Sequence, residues 1–395
     1  MTNNKISVVL VGVGGYGQTY LKELLFKKNK RISLVGVVDI LPQQSQYYKD
    51  ILQQDVPIFK TLEQFYQAYK ADLAIISTPI HLHKEHSVSA MKSGSHVLCE
   101  KPIATDLEHI KEMKKISSDT GKFLAVGFNW SFTSSVQSLK RDILSGKFGK
   151  SKRFKTIILW PRTKDYYNRS SWAGKQYHTN GDIIYDNIAS NATAHYLHHL
   201  LYLDGSTIEN SAELTNLTAE LYRANDIETF DTCAVKIRTK SNLELYYYAT
   251  HAVNEVENPK YTLEFEKATI YYNQDGTNQN IIARWNDGTI QEYENPNLHP
   301  LSKLYVCVNA ILEGDYGILC GINASKPHVE SVHAMNESMP HPQKFPVNII
   351  QSDDVQQKLY VNGLGDVLKH CYDEWCLPSD LKLDWSKRGK DICVK

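Results

Sequence analysis

The chain has 395 residues, 42% hydrophobic and 22% charged, a composition that excludes wholesale disorder and favours two packed domains. Its 44 basic and 44 acidic residues balance, which argues against a broad electrostatic nucleic-acid binder. No apolar run approaches the ~20 residues that span a bilayer, and the N-terminus lacks a signal-peptide pattern. Because the seven cysteines are scattered and form no CxxC pair, we expect a cytoplasmic protein with reduced thiols.

The first third of the chain alternates short β-branched runs with helical patterns. This alternation is typical of βαβ units and a parallel sheet, so we predict a Rossmann dinucleotide-binding domain over residues 1–129. The predicted strands are 5–11, 32–38, 73–77, 96–99 and 123–127, and the clearest helices are 83–92 and 107–120.

From about residue 151 the sequence pattern changes to long β-rich stretches separated by polar turns. Several stretches alternate apolar and polar residues, which predicts an antiparallel sheet with one covered face. We therefore predict an α/β fold in which a C-terminal domain over 130–395 is built on a large, mostly antiparallel open sheet. The predicted strands include 153–160, 212–222, 229–239, 243–252, 261–265 and 269–272, and the interrupting helices are 187–203, 304–313 and 355–374.

A glycine loop follows the first predicted strand and opens a helix. Gly12-Val-Gly14-Gly15-Tyr16-Gly17 satisfies G-x-G-x-x-G in the context that supports a dinucleotide site. Asp39 ends the second strand 22 residues after Gly17, where a carboxylate accepts hydrogen bonds from a ribose diol and repels a 2′-phosphate. The sequence thus favours NAD over NADP.

A second motif follows the third and fourth strands. Thr78-Pro79-x-x-x-His83 and, after Gly94-x-His96-Val-Leu-Cys, Glu100-Lys101-Pro102 together resemble the Gfo/Idh/MocA family of nicotinamide-dependent sugar and polyol oxidoreductases. The resemblance is strong over about 6–200 and looser to about 340. On its own terms, Lys101 lies at the carboxyl end of a parallel strand, where open α/β sheets bind ligands, and Pro102 restricts its backbone. A lysine there can polarise or exchange protons with a substrate hydroxyl.

A helical pattern over 187–203 carries Asn191, His195 and His199 at i, i+4 and i+8, which predicts that they share one face. The resemblance places His195 on the family's catalytic histidine, which can take the alcohol proton. Asn191 stands where the family commonly has an aspartate; an amide orients a hydroxyl but carries no proton. A metal on His195 and His199 is the weaker interpretation because no third ligand is evident, and His198 and His199 are read as structural.

The substrate-side candidates are aromatic and basic residues, whose rings stack on sugar C–H faces and whose donors bind hydroxyls. They are Trp160, Arg162, Tyr166 and Lys175, with Asp231 and His251 in the β-rich region as further candidates and Trp172 at a family position near the nicotinamide.

The resemblance implies NAD bound by the glycine loop and by residues after the later strands. These cofactor candidates are Gly12, Gly14, Gly15, Tyr16, Gly17, Asp39, Ser77, Thr78, Pro79, His83, Glu100, Lys101, Asn129 and Trp172. The implied catalytic residues are Lys101, His195 and Asn191, with no metal.

We therefore predict hydride transfer between NAD and a secondary hydroxyl of a sugar, glycoside or cyclic polyol. Two alternatives stay open: a sugar-processing enzyme that holds and recycles its NAD, and a non-catalytic NAD-binding regulator. The expected partners are a carbohydrate or polyol and, because an uncovered sheet face has to be buried, further copies of the chain in a dimer, tetramer or larger assembly, but neither nucleic acid nor a membrane.

Overall fold

The computed structural model describes residues 5–27, 29–179 and 181–394. It divides into two compact units. The first comprises Met1–Thr133 and His299–Lys326, and the second comprises Ser134–Leu298 and Pro327–Lys395.

The described residues form strands that we number in chain order. They are β1 (Ile6–Val11), β2 (Ile32–Val38), β3 (Ile58–Phe59), β4 (Leu73–Ile76), β5 (His96–Cys99), β6 (Leu124–Val126), β7 (Ser151–Leu159), β8 (Leu214–Arg223), β9 (Thr232–Thr239), β10 (Glu244–Thr250), β11 (Glu257–Phe265), β12 (Ala268–Tyr272), β13 (Ile281–Trp285), β14 (Ile290–Tyr293), β15 (Gln343–Lys344), β16 (Ile350–Asp353), β17 (Lys358–Val361) and β18 (Ile392–Cys393).

The α-helices are numbered in the same way. They are α1 (Gly17–Phe26), α2 (Tyr48–Gln53), α3 (Leu62–Ala68), α4 (His83–Lys92), α5 (Leu107–Thr120), α6 (Ser134–Leu144), α7 (Lys164–Asn168), α8 (Ala194–Leu203), α9 (Ser302–Glu313), α10 (Ile322–Ser338) and α11 (Leu364–Glu374). Within the described ranges, no helix combines the length and the apolarity that crossing a membrane requires.

The first unit is a six-stranded parallel sheet in the order β3-β2-β1-β4-β5-β6. The predicted Rossmann fold is thereby confirmed. Val8, Val9 and Leu10 of β1 are fully buried, as the central strand of a sheet with two covered faces requires. The order reverses between β1 and β4, and this reversal is where such sheets bind ligands at their carboxyl ends.

Residues 299–326 belong to this first unit, whereas the sequence prediction placed them in the C-terminal domain. Backbone hydrogen bonds and helix packing join residues 299–326 to the first unit. The amide of Val126 donates to the Cys320 carbonyl at 2.8 Å, and Ala125 forms an antiparallel bridge with Gly321. Helix α9 also packs against β1 and β5. The first unit is therefore assembled from two distant stretches of chain.

The second unit is built on a ten-stranded sheet with the path β14-β13-β12-β11-β7-β10-β9-β8-β15, and β18 pairs with β8. All pairs are antiparallel except β7–β10 and β8–β15. The prediction of a large, mostly antiparallel sheet is confirmed.

Part of one face of this sheet is covered by α11 and the segment around it. Leu364 and Leu368 of α11 lie in one buried cluster with Ile157, Tyr246 and Tyr248 of the sheet. The expectation of an uncovered face, on which the predicted oligomer rested, therefore does not hold for β7 and β10.

Two predicted helices differ from the structure at their N-terminal ends. The pattern over 355–374 contains the end of the β16–β17 hairpin, and only Leu364–Glu374 is helical. The pattern over 187–203 becomes helical only at Ala194. There the side chain of Asn187 accepts hydrogen bonds from the amide and hydroxyl of Ser190, at 2.9 and 3.0 Å, which stabilises a turn instead.

Candidate active site

The glycine loop has the conformation that a phosphate cradle requires. Gly12 has φ +89°, and a Cβ there would lie 2.5 Å from the carbonyl oxygen of Ser77. A Cβ on Gly17 would collide with the carbonyl of Gly12, so α1 and the loop can approach only with glycine at this position. A Cβ on Gly14 would meet no atom within 4 Å, which leaves the loop open on the side where a ligand would lie.

Asp39 joins the end of β2 to the glycine loop. Its Oδ2 accepts the amide of Val13 and its Oδ1 accepts the amide of Leu41, both at 2.8 Å. The side chain is only partly buried, and each carboxylate oxygen can accept further hydrogen bonds. Asp39 therefore fits a ribose diol while it holds the loop in place.

Asn129, which follows β6, has a side chain that also fits a bound dinucleotide. Its Nδ2 lies 3.3 Å from the hydroxyl of Tyr16 in the glycine loop, while its Oδ1 is buried without a hydrogen-bond partner. A buried acceptor without a partner is costly unless a ligand or water satisfies it. The glycine loop, Asp39 and Asn129 thus fit NAD, which would lie along the carboxyl ends of these strands.

His83, which is predicted to bind the cofactor, is a buried residue of the first unit. The side chain is 1% exposed. Its Nδ1 lies 2.8 Å from the carbonyl oxygen of Pro102, and its Nε2 lies 2.9 Å from that of Thr78. Burial lowers the pKa of His83. A neutral imidazole donates from one nitrogen only, so in that form the ring can donate to just one of these two carbonyl oxygens. The Lys101–Pro102 peptide bond is cis.

A buried cluster of charged and phenolic groups lies beside Lys101. The Glu100 carboxylate accepts a hydrogen bond from the Tyr20 hydroxyl at 2.7 Å and forms an ion pair with Lys303 of α9 at 2.5 Å. Lys303 is fully buried; its ammonium also lies 3.3 Å from the carbonyl oxygen of Gly127 and 4.5 Å from the ring centroid of Tyr16. Burial and the neighbouring Glu100 carboxylate raise the pKa of Tyr20, which therefore stays protonated and donates.

The remaining cofactor candidates of the first unit follow β4. Ser77 donates its amide to the Val11 carbonyl at 2.8 Å, and the Thr78 hydroxyl lies 3.2 Å from Nδ1 of His86. Pro79 begins the turn that leads into α4. These contacts hold the Ser77–Pro79 segment next to Gly12, as the Cβ distances at that glycine also require.

In the second unit, Asn191 lies in the turn before α8 and not on the predicted helical face. Its Nδ2 donates to Oδ1 of Asp186 at 2.9 Å. The buried Asp186 also accepts from Arg169 at 2.7 Å and from the amide of Gly174 at 2.8 Å. A carboxylate thus stands directly beside the amide that replaces the expected aspartate.

His195 is the second residue of α8 and is partly exposed, whereas His198 and His199 are buried. Burial lowers the pKa of His199 to about 3, so that ring is neutral at pH 7, in keeping with its structural interpretation. Among the described residues, no cluster of three or more histidine, cysteine, aspartate or glutamate side chains is arranged to hold a metal ion.

The aromatic candidates form a connected group in the second unit. Trp160 makes an edge contact with Tyr196 of α8 at 5.7 Å between centroids. The guanidinium of Arg162 lies 5.6 Å from the Trp160 ring centroid and 5.1 Å from that of Tyr166. Arg169 in turn lies 4.1 Å from the Tyr166 centroid and 5.1 Å from that of Trp172. Trp160, Arg162, Tyr166 and Trp172 are thereby linked to the Asp186–Asn191 pair.

Asp231, Lys175 and His251, which are predicted to contact the substrate, make contacts within the second unit. Asp231 is buried, and its Oδ2 accepts the amides of Ala224 and Asn225 at 3.0 and 2.9 Å, which shapes a loop. Lys175 forms an ion pair with Glu228 at 2.9 Å. His251 is 2% exposed, its Nδ1 lies 2.7 Å from the Trp160 carbonyl oxygen, and burial lowers its pKa to about 3.

Sequence reasoning missed Asp186, Arg169 and Lys303. Asp186 lies five residues before Asn191. An acidic residue so close to the position where the family commonly has an aspartate could have been recognised in the sequence. Lys303 gave no signal, because its partner Glu100 is 203 residues away.

Comparisons with known proteins agree with this architecture. Residues 6–128 match the model of the Gfo/Idh/MocA oxidoreductase family, described as an NAD-binding Rossmann fold. The chain is 31% identical over 140 residues to glucose-6-phosphate 3-dehydrogenase of Bacillus subtilis, covering 35% of this chain and 38% of that protein. It is 27% identical over 199 residues to 2,7-anhydro-N-acetylneuraminate hydratase of Mediterraneibacter gnavus, covering 50% and 48%. The matched region spans less than half the length of these curated relatives.

Among solved structures, the WlbA dehydrogenase from Bordetella pertussis, in complex with NADH and UDP-GlcNAcA, superposes with a TM-score of 0.68 at 22% identity, over 87% of this chain and 100% of that one. This likeness shows the shared fold. Together with the glycine loop and the Glu100-Lys101-Pro102 motif, the match over residues 6–128 shows that this part of the chain is similar to the NAD-binding Rossmann domain of the Gfo/Idh/MocA oxidoreductase family.

Proposed function

We propose that this protein is an NAD-dependent oxidoreductase that acts on a secondary hydroxyl of a sugar, glycoside or cyclic polyol. The observation that supports this most is the placement of the glycine loop and Lys101 after β1 and β5, at one edge of a single parallel sheet. The names of relatives such as glucose-6-phosphate 3-dehydrogenase and inositol 2-dehydrogenase support the substrate class.

The proposed chemistry divides between three side chains. NAD supplies the hydride acceptor when it is bound. Lys101 polarises the substrate oxygen and stabilises the negative charge that develops on it. His195 accepts the hydroxyl proton, because an imidazole titrates near neutral pH. Asn191 orients the substrate through a hydrogen bond. Trp160, Arg162, Tyr166 and Trp172 provide aromatic faces and donors for a polyhydroxylated ligand.

Measurement of NADH formation from NAD across a panel of sugars, glycosides and inositols tests the proposal. With the best substrate, Lys101→Ala or His195→Ala is expected to lower kcat/KM at least ~10²-fold while NAD still binds. Lys111→Ala, on the surface of α5, and the exposed His341→Ala are the matched controls and are expected to retain activity. Near-normal turnover in the two site variants would refute the assigned roles.

A second candidate keeps the site but retains the cofactor. One matched relative is named a hydratase, and hydration involves no net oxidation. This similarity favours a sugar-processing reaction with recycled NAD. Such an enzyme would copurify with tightly bound nicotinamide and convert substrate without net NADH release. Absorbance of the denatured supernatant and product analysis by mass spectrometry distinguish it from a dehydrogenase.

We also propose a cytoplasmic homo-oligomer. The support is the reduced-thiol composition and the breadth of the ten-stranded sheet, of which α11 covers only part of one face. Analytical ultracentrifugation tests the assembly, and a monomer at micromolar concentration would refute it.

A further inference from the structure

Asp186 is held from several sides, so its carboxylate has a fixed direction. Its backbone amide donates to the carbonyl of Lys175 at 3.0 Å, and its carbonyl accepts the Thr229 hydroxyl at 2.8 Å. Its Oδ2 is engaged by Arg169 and the amide of Gly174, and its Oδ1 receives Nδ2 of Asn191. The side chain is 4% exposed.

This arrangement decides which end of the Asn191 amide faces which way. An asparagine side chain offers a donor at one end and an acceptor at the other, and its flip is set by its neighbours. A carboxylate paired with an arginine offers only acceptors. The NH₂ group of Asn191 must therefore face Asp186, and its Oδ1 points away from the buried carboxylate.

We propose that Asp186 is a positioning residue that makes Asn191 a hydrogen-bond acceptor toward the substrate. The consequence for the substrate rests on the proposed function. A reacting hydroxyl has one proton, and that proton goes to His195. The amide oxygen of Asn191 has two lone pairs and can then accept a hydrogen bond from a different hydroxyl of the same molecule. The preferred substrates therefore carry a second free hydroxyl, and Asn191 selects for it.

The orientation is tested first, by a stability measurement that needs no substrate. Asn191→Asp places two carboxylates in contact, which then favour sharing a proton. The charged or titratable groups that face Asp186 include Arg169, Tyr166 and Tyr167. Because folding of this variant takes up a proton, its Tm deficit against the parent widens as pH rises from about 4 to 7, by about 3 °C or more.

The exchanged variant Asp186→Asn/Asn191→Asp is the matched control. It restores one carboxylate and one amide, with the amide NH₂ now donating from position 186. Its Tm is expected to follow the parent's pH dependence. If Asn191→Asp does not fold, Asp186→Asn alone is compared with the exchanged variant, which is expected to be the more stable. Parallel Tm–pH curves for the parent and Asn191→Asp, or an exchanged variant no better than the single variants, would overturn the orientation.

The substrate consequence is tested with deoxy or O-methyl analogues that each lack one hydroxyl of the best substrate. Asn191→Ala is expected to lower kcat/KM at least ~10-fold on the parent sugar and to have little effect on one analogue, the one that lacks the selected hydroxyl. Equal losses on every analogue would overturn the selection. Absence of turnover with any sugar would instead refute the proposed function and this consequence with it, while the stability result would still stand.

Discussion

Replacement of Lys303 by methionine is expected to weaken the Rossmann unit selectively. Methionine keeps the length and apolar stem of the side chain but removes the ammonium that pairs with Glu100 at 2.5 Å. Lys303 is fully buried and the Glu100 side chain is only 10% exposed, so the variant leaves a buried carboxylate without its cation. Breaking one partner of a buried pair costs about 3–5 kcal/mol. We expect about 3 kcal/mol, because Tyr20 still donates to Glu100.

Native-state hydrogen exchange measures this loss in the right place. Amides of β4, β5 and β6 report the opening free energy of the Rossmann unit without assuming that the whole chain unfolds in one step. A loss of about 3 kcal/mol corresponds to more than a hundredfold faster exchange, since each 1.4 kcal/mol is about tenfold.

The matched variants separate the lost charge pair from a simple packing defect. Lys303→Met/Glu100→Gln removes both charges and is expected to recover at least half of the loss, because no buried ion is left unpaired. Lys111→Met, at an exposed lysine that pairs with Glu108, is expected to leave the exchange unchanged. Exchange within threefold of the parent in Lys303→Met, or a double variant no more stable than the single one, would refute the reasoning.

Two further predictions concern pH and cofactor choice. Because burial lowers the pKa of folded His251 to about 3 while the unfolded ring titrates near 6.5, its contribution to stability is present above pH 6.5 and decreases as pH falls, by about 2 kcal/mol at pH 5. Urea unfolding measures the free energy of unfolding at pH 5 and at pH 8. The difference between the two values is expected to be smaller in His251→Asn, whose amide can still donate to Trp160, than in the parent. Equal differences in the two proteins would contradict the assignment. Asp39→Asn is expected to lower the ratio of the Kd for NADP to that for NAD at least ~10-fold, since it removes a like charge facing the 2′-phosphate. Titration of both cofactors measures this ratio, with the exposed Glu63→Gln as control, and an unchanged ratio would place the selectivity elsewhere.

The elements that the sequence predicts well are those whose signal is local. The strands at 32–38 and 96–99 and the helices at 83–92 and 107–120 have the predicted bounds, because continuous apolar runs and amphipathic spacing are local signals of strand and helix. The two-residue strand Ile58–Phe59 was missed, since so short a run has no period.

The errors arise where a distant or competing contact decides the structure. Asn187 forms a side-chain turn that overrides the helical pattern of its segment. The ion pair of Lys303 with Glu100 joins residues far apart in the chain, and no single-sequence pattern reports such a pairing. The same limit applies to the candidate site: Gly12 and Lys101 were predicted from motif spacing, whereas the role proposed for Asp186 depends on its contact with Asn191, which no motif spacing predicts.

The return of residues 299–326 to the Rossmann unit has a consequence for synthesis on the ribosome. Glu100 emerges 203 residues before Lys303, and at about 5–20 residues per second this interval lasts roughly 10–40 s. Throughout that time the nascent N-terminal sheet lacks both α9 and the bridge to Gly321. The Rossmann sheet is thus translated early but cannot be completed until residues 299–326 have been made, so a polypeptide that stalls before them would present an unfinished nucleotide-binding sheet to chaperones and proteases.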